Sequence, residues 1–157
     1  MEHSACFIGH RTVEETENLQ KRAQETVENL VAHGVVNFIF GDHSAFTALC
    51  YDVVTELKEK HPAIRRIHFR TEYGDADEYT MQFLMSGFEE SVCPKGVENA
   101  GRARYVERDQ AMIRESDVCV LYYDEQYRPS RRKSGTAVAF AYAKKQNKDI
   151  VNLFECP

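Results

Sequence analysis

No run of about 18 consecutive apolar residues occurs in this 157-residue chain, and Met1-Glu2-His3-Ser4 lacks the basic start and apolar core of a secretion signal. Neither a membrane span nor export is expected, so the sequence points to a cytoplasmic protein. Paired cysteines are missing as well. The five present (Cys6, Cys50, Cys93, Cys119 and Cys156) are odd in number, widely spaced and without metal-ligand spacing. Cys6, Cys50 and Cys119 lie in apolar segments, where burial raises a thiol pKa and leaves the group inert. His10, His43, His61 and His68 form no metal spacing either, and neither a metal nor a cofactor is expected. An excess of positive charge is also absent: a net charge of −5 argues against generic nucleic-acid binding, which rests on phosphate neutralisation by lysine and arginine. Nothing in the chain reads as a repeat, a low-complexity tract or a linker, and its 43% hydrophobic content suffices for one buried core.

Apolar strand candidates alternate with amphipathic helix candidates. Ala5 to Gly9, Val35 to Phe40, Ile64 to Phe69, Val118 to Tyr123 and Ile150 to Phe154 are short and apolar, whereas 14–33, 44–60, 102–115 and 136–146 carry helical spacing. No Asn-Gly hairpin signal intervenes. Strands that are apolar throughout must be covered on both faces, which predicts an α/β, Rossmann-like three-layer domain. Its sheet would be open and mainly parallel, with about five strands and helices on both faces. His33-Gly34 and Gln146-Asn147 suit helix ends, because Gly and Asn readily take the left-handed conformation. Thr71 to Gly87 shows no clear period; it is a candidate lid or self-association surface.

In such a sheet, ligands sit beyond the carboxyl ends of the strands, where loops converge with helix N-termini. Three polar loops fall there. After the first strand comes Gly9-His10-Arg11, and after the second Gly41-Asp42-His43-Ser44. The fourth is followed by Tyr123-Asp124-Glu125 and a loop to Ser134-Gly135-Thr136 at the start of an alanine-rich helix. Unpaired backbone N–H groups and the positive end of a helix dipole suit an anion such as phosphate. Arg11 could grip phosphate in a forked geometry, Gly9 and Gly41 would let backbone approach a ligand, and Ser44 could cap the second helix. Ordinary turn and cap chemistry is the alternative at each loop taken singly. The basic run Arg128, Arg131, Arg132, Lys133 precedes the third loop, and Arg132 and Lys133 stand near enough along the chain to reach a ligand.

Cys6-Phe7-Ile8-Gly9-His10-Arg11, Arg108-x-x-x-Met112-x-x-x-Ser116-Asp117, and Ser134-Gly135-Thr136 with Ala141-Tyr142-Ala143-Lys144-Lys145 together resemble the SLOG superfamily. That Rossmann-like group is named for the Smf/DprA DNA-processing proteins and the LOG phosphoribohydrolases. The resemblance implies a nucleotide-like ligand held by the first and second strand loops and by the glycine turn, and association into homo-oligomers. In the phosphoribohydrolases, an Arg-Lys-x-x-Met motif and a Pro-Gly-Gly-x-Gly-Thr-x-x-Glu motif supply the Arg and Glu of glycosidic cleavage. Arg108 and Met112 match the first, with Asp109 in place of the lysine, and Gly135-Thr136 match the second. The position of the glutamate is Ala139, and loss of that carboxylate argues against hydrolysis of the LOG type. Gly41-Asp42-His43-Ser44 also has one glycine where the family's second loop is glycine-rich, and sets an acid beside the expected phosphate position.

Three functions are compatible with these residues. The first is binding or sensing of a nucleotide or nucleotide-derived ligand without efficient turnover, at a site drawn from Gly9, His10, Arg11, Gly41, Asp42, Ser44, Arg108, Ser134, Gly135 and Thr136. The second is a nucleotide or nucleoside N-glycosidase on that site, with Glu107, Asp42 or Glu125 as the carboxylate. The third is an oligomeric interaction or scaffold module for a protein or single-stranded DNA partner.

Overall fold

A computed structural model describes residues 3–10, 13, 16–41, 44–71, 86–97, 100–126 and 135–154. The described elements are β1 (His3–Gly9), α1 (Glu17–Ala32), β2 (Val35–Phe40), α2 (Ala45–Lys58), β3 (Arg65–Phe69), β4 (Glu90–Val92), α3 (Arg104–Arg114), β5 (Val118–Tyr122), α4 (Gly135–Lys145) and β6 (Asp149–Asn152), with short 3-10 turns at Lys95–Val97 and Gly101–Ala103. All strand pairings are parallel, in the order β4-β3-β2-β1-β5-β6. The sheet has six strands where about five are expected from sequence. The extra strand is β4, a three-residue strand that among the described residues pairs with β3 alone, and whose half-buried Glu90-Ser91-Val92 carries no apolar run to betray it.

Local chemistry explains the elements. Thr16 caps α1 by accepting from the Leu19 N–H at 3.0 Å, and Leu19, Ala23, Val27 and Leu30 then recur on one buried face. Ser44 caps α2 in the same way, its hydroxyl accepting from the Thr47 N–H at 3.2 Å. Gly34 (φ +93°) and Asn147 (φ +56°) hold the left-handed conformation at the helix stops, as their residue types suggest. Along β1 the side chains alternate between two cores. Ala5 and Phe7 join α1 and α2 on one face, while Cys6 and Ile8 join α3 and α4 on the other. Burial of both faces is the reason the strands are apolar throughout.

The strand order locates the ligand edge. β1, β2 and β3 advance in one direction, and the chain then returns to lay β5 and β6 on the other side of β1. Winding thus reverses between β1 and β5, which opens a crevice beyond their carboxyl ends. Among the described residues no helix is long and apolar enough to cross a membrane.

Candidate functional site

At the end of β1, Gly9 serves packing. A Cβ there would fall 2.5–2.9 Å from three atoms of Phe46, the second residue of α2, so the missing side chain lets the start of α2 press on the strand. The next residue, His10, is 4% exposed. Its Nε2 accepts from the Asp124 N–H at 2.9 Å, and the His10 backbone N–H donates to the Tyr122 carbonyl at 3.4 Å. An acceptor Nε2 means that the neutral ring carries its proton on Nδ1. Burial lowers the His10 pKa, against an upward pull from Asp124. His10 therefore acts as a neutral clasp between the ends of β1 and β5, with Tyr122 and Tyr123 packed at ring centroid distances of 6.2 and 6.1 Å.

One strand over, Gly41 follows β2. A Cβ on it would stand 2.8 Å from both Arg108 Nε and Met112 Sδ. Arg108 and Met112 are four residues apart on α3 and so share one helix face, which gives the Arg-x-x-x-Met spacing a physical reason: both side chains lie over the glycine. The Gly41 carbonyl is also within hydrogen-bond distance of His68 Nε2, 3.1 Å away at the end of β3. Arg108 is only 5% exposed. Its Nε and Nη2 donate to Asp109 Oδ1 at 3.2 and 3.1 Å, and its Cζ lies 5.6 Å from the ring centroid of Tyr105, which is 48% exposed. Nη1 of Arg108 makes no hydrogen bond among the described residues, so the fork keeps donors for a ligand.

Gly135 and Thr136 open α4, so their backbone N–H groups belong to a first turn without intrahelical acceptors. Among the described residues nothing lies within 4 Å of a Cβ placed on Gly135. Thr136 and Ala139 are buried at 4% and 2% exposure. Where the phosphoribohydrolases keep a glutamate, Ala139 packs into the core with Ala143 and Met112. Ser44 turns its hydroxyl inward to Thr47 Oγ1 at 2.9 Å as well as capping α2, a structural role. Arg11, Asp42 and Ser134, and with them Arg128, Arg131, Arg132 and Lys133, lie outside the described residues.

Among the carboxylate candidates, Glu107 points to the 3-10 turn, with Oε2 2.9 Å from a Cβ placed on Gly96, and Glu125 is exposed. Cys6, Cys50 and Cys119 are free, buried thiols, as expected of core groups. A hydrogen bond with Cys119 and burial push Cys6 well up, and burial pushes Cys50 up. Cys119 is Cys6's partner across the parallel pair of β1 and β5, and the hydrogen bond between the two thiols holds the Cys119 pKa down.

His68 and Tyr105 are members of this constellation that sequence reading misses. His68 ends an apolar strand as His10 does, so its place at a strand carboxyl end was the available signal. Tyr105 precedes Arg108 by three residues, a helical neighbour spacing that a search for polar loops does not consult.

The model of the YspA SLOG family matches residues 8–154. This chain belongs to that family. No curated protein matches its sequence. Among solved structures, this YspA SLOG protein is similar to DNA processing protein A from Helicobacter pylori, described for its single-stranded DNA binding mode. The TM-score is 0.59 at 16% identity, over 94% of this chain and 63% of the other, so this chain spans less than two thirds of that protein's length. It is also similar to the molybdenum cofactor carrier protein of Chlamydomonas reinhardtii, with a TM-score of 0.57 at 15% identity over 96% of this chain and 75% of the other. At such identities the likeness shows the fold that this SLOG member shares with both.

Proposed function

We propose that this SLOG protein binds a nucleotide or nucleotide-derived ligand at the carboxyl edge of its sheet and does not cleave it as the phosphoribohydrolases do. The observation that carries the reading is Arg108: a guanidinium at 5% exposure, held over Gly41 at a strand carboxyl end, whose Nη1 has no hydrogen-bond partner among the described residues. Burying a charged fork is costly unless its donors are used, and a phosphate oxygen satisfies them. The free N–H groups of Gly135 and Thr136 at the start of α4 add a second set of donors. Binding without turnover is supported by Ala139, which leaves no carboxylate at the position where the phosphoribohydrolases use one.

The glycosidase alternative needs a different carboxylate: of the candidates, Glu107 faces a backbone turn, Glu125 is an exposed residue, and Asp42 lies outside the described residues. Single-stranded DNA is the remaining alternative, because a fold neighbour binds it; the net charge of −5 opposes it but draws no support from that neighbour. A cytoplasmic homo-oligomer is the setting we expect for the site.

The test is a thermal-shift panel of nucleotides, with oligo(dT) as the DNA arm, followed by calorimetry and a base-release assay on whatever binds. Arg108→Ala should weaken nucleotide binding by about 1.5–3 kcal/mol, roughly ten- to a hundredfold. Unchanged affinity in a folded Arg108→Ala protein would remove the site. Base release at an enzymatic rate would restore the glycosidase reading, and strongly salt-dependent oligo(dT) binding without nucleotide binding would favour the DNA one.

A further inference from the structure

We infer that Tyr105 is the stacking platform of the site: its ring takes the nucleobase of the ligand whose phosphate Arg108 grips. The inference rests on the anion site proposed above and adds the ligand's second anchor. One exposed aromatic side chain needs no explanation by itself, and the place of this one in the fold carries the argument. Tyr105, Arg108 and Met112 are spaced by three and four residues and so form one stripe along α3. Met112 is fully buried, Arg108 is 5% exposed and Tyr105 is 48% exposed, the one large apolar side chain left open to solvent among the described residues. α3 ends at Arg114 and feeds β5 from Val118, so the helix runs from the carboxyl edge of the sheet to its amino edge. The stripe therefore climbs from the core, past the guanidinium over Gly41, to an aromatic ring at the carboxyl edge.

The ring is held and open at once. Arg108 Cζ lies 5.6 Å and Arg104 Cζ 5.1 Å from its centroid, and Arg104 Nη2 donates to the Tyr105 hydroxyl at 3.2 Å. These contacts restrain a side chain that would otherwise sample several rotamers in water, so little further ordering is required when a flat partner arrives. A nucleobase stacks on such a ring, and a guanidinium beside it adds a cation–π contribution. A 5′-nucleotide carries two recognisable groups, an aromatic plane and an anion, joined by one sugar. A single turn of α3 presents the complements in the same order: the ring of Tyr105, and about 4.5 Å farther along the helix axis Arg108, whose Nη1 has no hydrogen-bond partner among the described residues. Stacking tolerates any base, because each has a π-face. The platform thus selects nucleotides over sugar phosphates and inorganic phosphate without reading which base is present.

The test compares two probes that share a sugar phosphate and differ by the base, adenosine 5′-monophosphate and ribose 5-phosphate, measured by calorimetry. The parent protein should bind the nucleotide about tenfold or more tightly than ribose 5-phosphate. Tyr105→Ala, an exposed change to a strong helix former, should lower nucleotide affinity about tenfold and leave ribose 5-phosphate unchanged, while Tyr105→Phe keeps the ring and should bind both probes as the parent does. The chain contains no tryptophan, so Tyr105→Trp places a single fluorescent reporter on the platform. Its emission should be quenched by the nucleotide and not by ribose 5-phosphate. A Tyr105→Ala protein that keeps its nucleotide affinity overturns the inference, and so does one that weakens both probes equally, which would make Tyr105 only a seat for Arg108. Failure of the underlying site reads differently: Arg108→Ala then leaves nucleotide binding unchanged, or the parent binds neither probe, and the stacking role falls with it. If Arg108→Ala weakens both probes and Tyr105→Ala weakens neither, the anion site stands and the platform alone is lost.

Discussion

The guanidinium of Arg108 lies directly over Gly41, its Nε 2.8 Å from the place where a Cβ on that residue would stand. Met112 Sδ closes on the same point at 2.8 Å, so even one methyl group must displace the arginine or the thioether. Gly41→Ala should therefore cost about 1–3 kcal/mol of stability by overpacking, and should lower nucleotide affinity because Arg108 loses its seat. Urea denaturation and calorimetry on the same preparation check both parts. A variant as stable as the parent with unchanged affinity would show that the contact yields freely.

A second glycine makes a similar fit with a different meaning. Gly9 accommodates Phe46 at 2.5–2.9 Å, and Phe46 is fully buried in the core formed with α1 and α2. Gly9→Ala should destabilise by about 2–3 kcal/mol. In a Phe46→Leu background its additional cost should shrink by at least about 1 kcal/mol, since the two positions are coupled through contact. Additive losses in this double-mutant cycle would argue that Gly9 is kept for a reason other than the ring.

These two glycines illustrate what the sequence discloses. The alternation of apolar strands and amphipathic helices revealed the parallel, doubly covered sheet, and the stops at Gly34 and Asn147 were legible because left-handed backbone selects those residue types. Both glycines stood out for the same reason, their place after an apolar strand. What fills the space above them depends on which helix crosses them, and that is a property of packing: Phe46 from α2 over Gly9, Arg108 from α3 over Gly41. β4 escaped notice because an edge of three half-buried residues needs no apolar pattern. Ser44 and His10, both polar at strand ends, turn inward as a cap and a clasp, so residue type and position at the carboxyl edge of the sheet do not distinguish ligand contact from internal satisfaction.

The clasp gives the protein a pH dependence with a definite sign. Burial sets the folded His10 pKa below its ordinary value of 6.5, so the unfolded chain binds the proton first as pH falls. The stabilisation that neutral His10 provides is complete above about pH 6.5 and declines as pH drops below it, until folded His10 also protonates. A protonated ring can no longer accept from the Asp124 N–H. His10→Gln retains an acceptor oxygen without titrating, so its melting temperature should fall less than the parent's between pH 7 and pH 5. The other histidines contribute equally to both proteins and cancel in the difference. Parallel melting curves against pH would place the titration elsewhere.

Gly135 differs from both packed glycines, because among the described residues nothing lies within 4 Å of the position its Cβ would take. It is exposed at the first residue of α4, where a side chain meets no core. Gly135→Ala should leave stability unchanged within about 0.5 kcal/mol, or raise it slightly through the lower unfolded-state entropy of alanine. Gly135→Val should fold as well, but its branched side chain would stand where an anion must approach the N–H groups of the first turn, so nucleotide binding should fall at least about tenfold. Size dependence is the decisive feature. An N-terminus that served only as a helix cap would tolerate both substitutions with binding intact, whereas an anion seat tolerates alanine better than valine. Calorimetry of the parent and the two variants with the same nucleotide separates these outcomes, and equal affinities across all three would assign the ligand to another part of the edge.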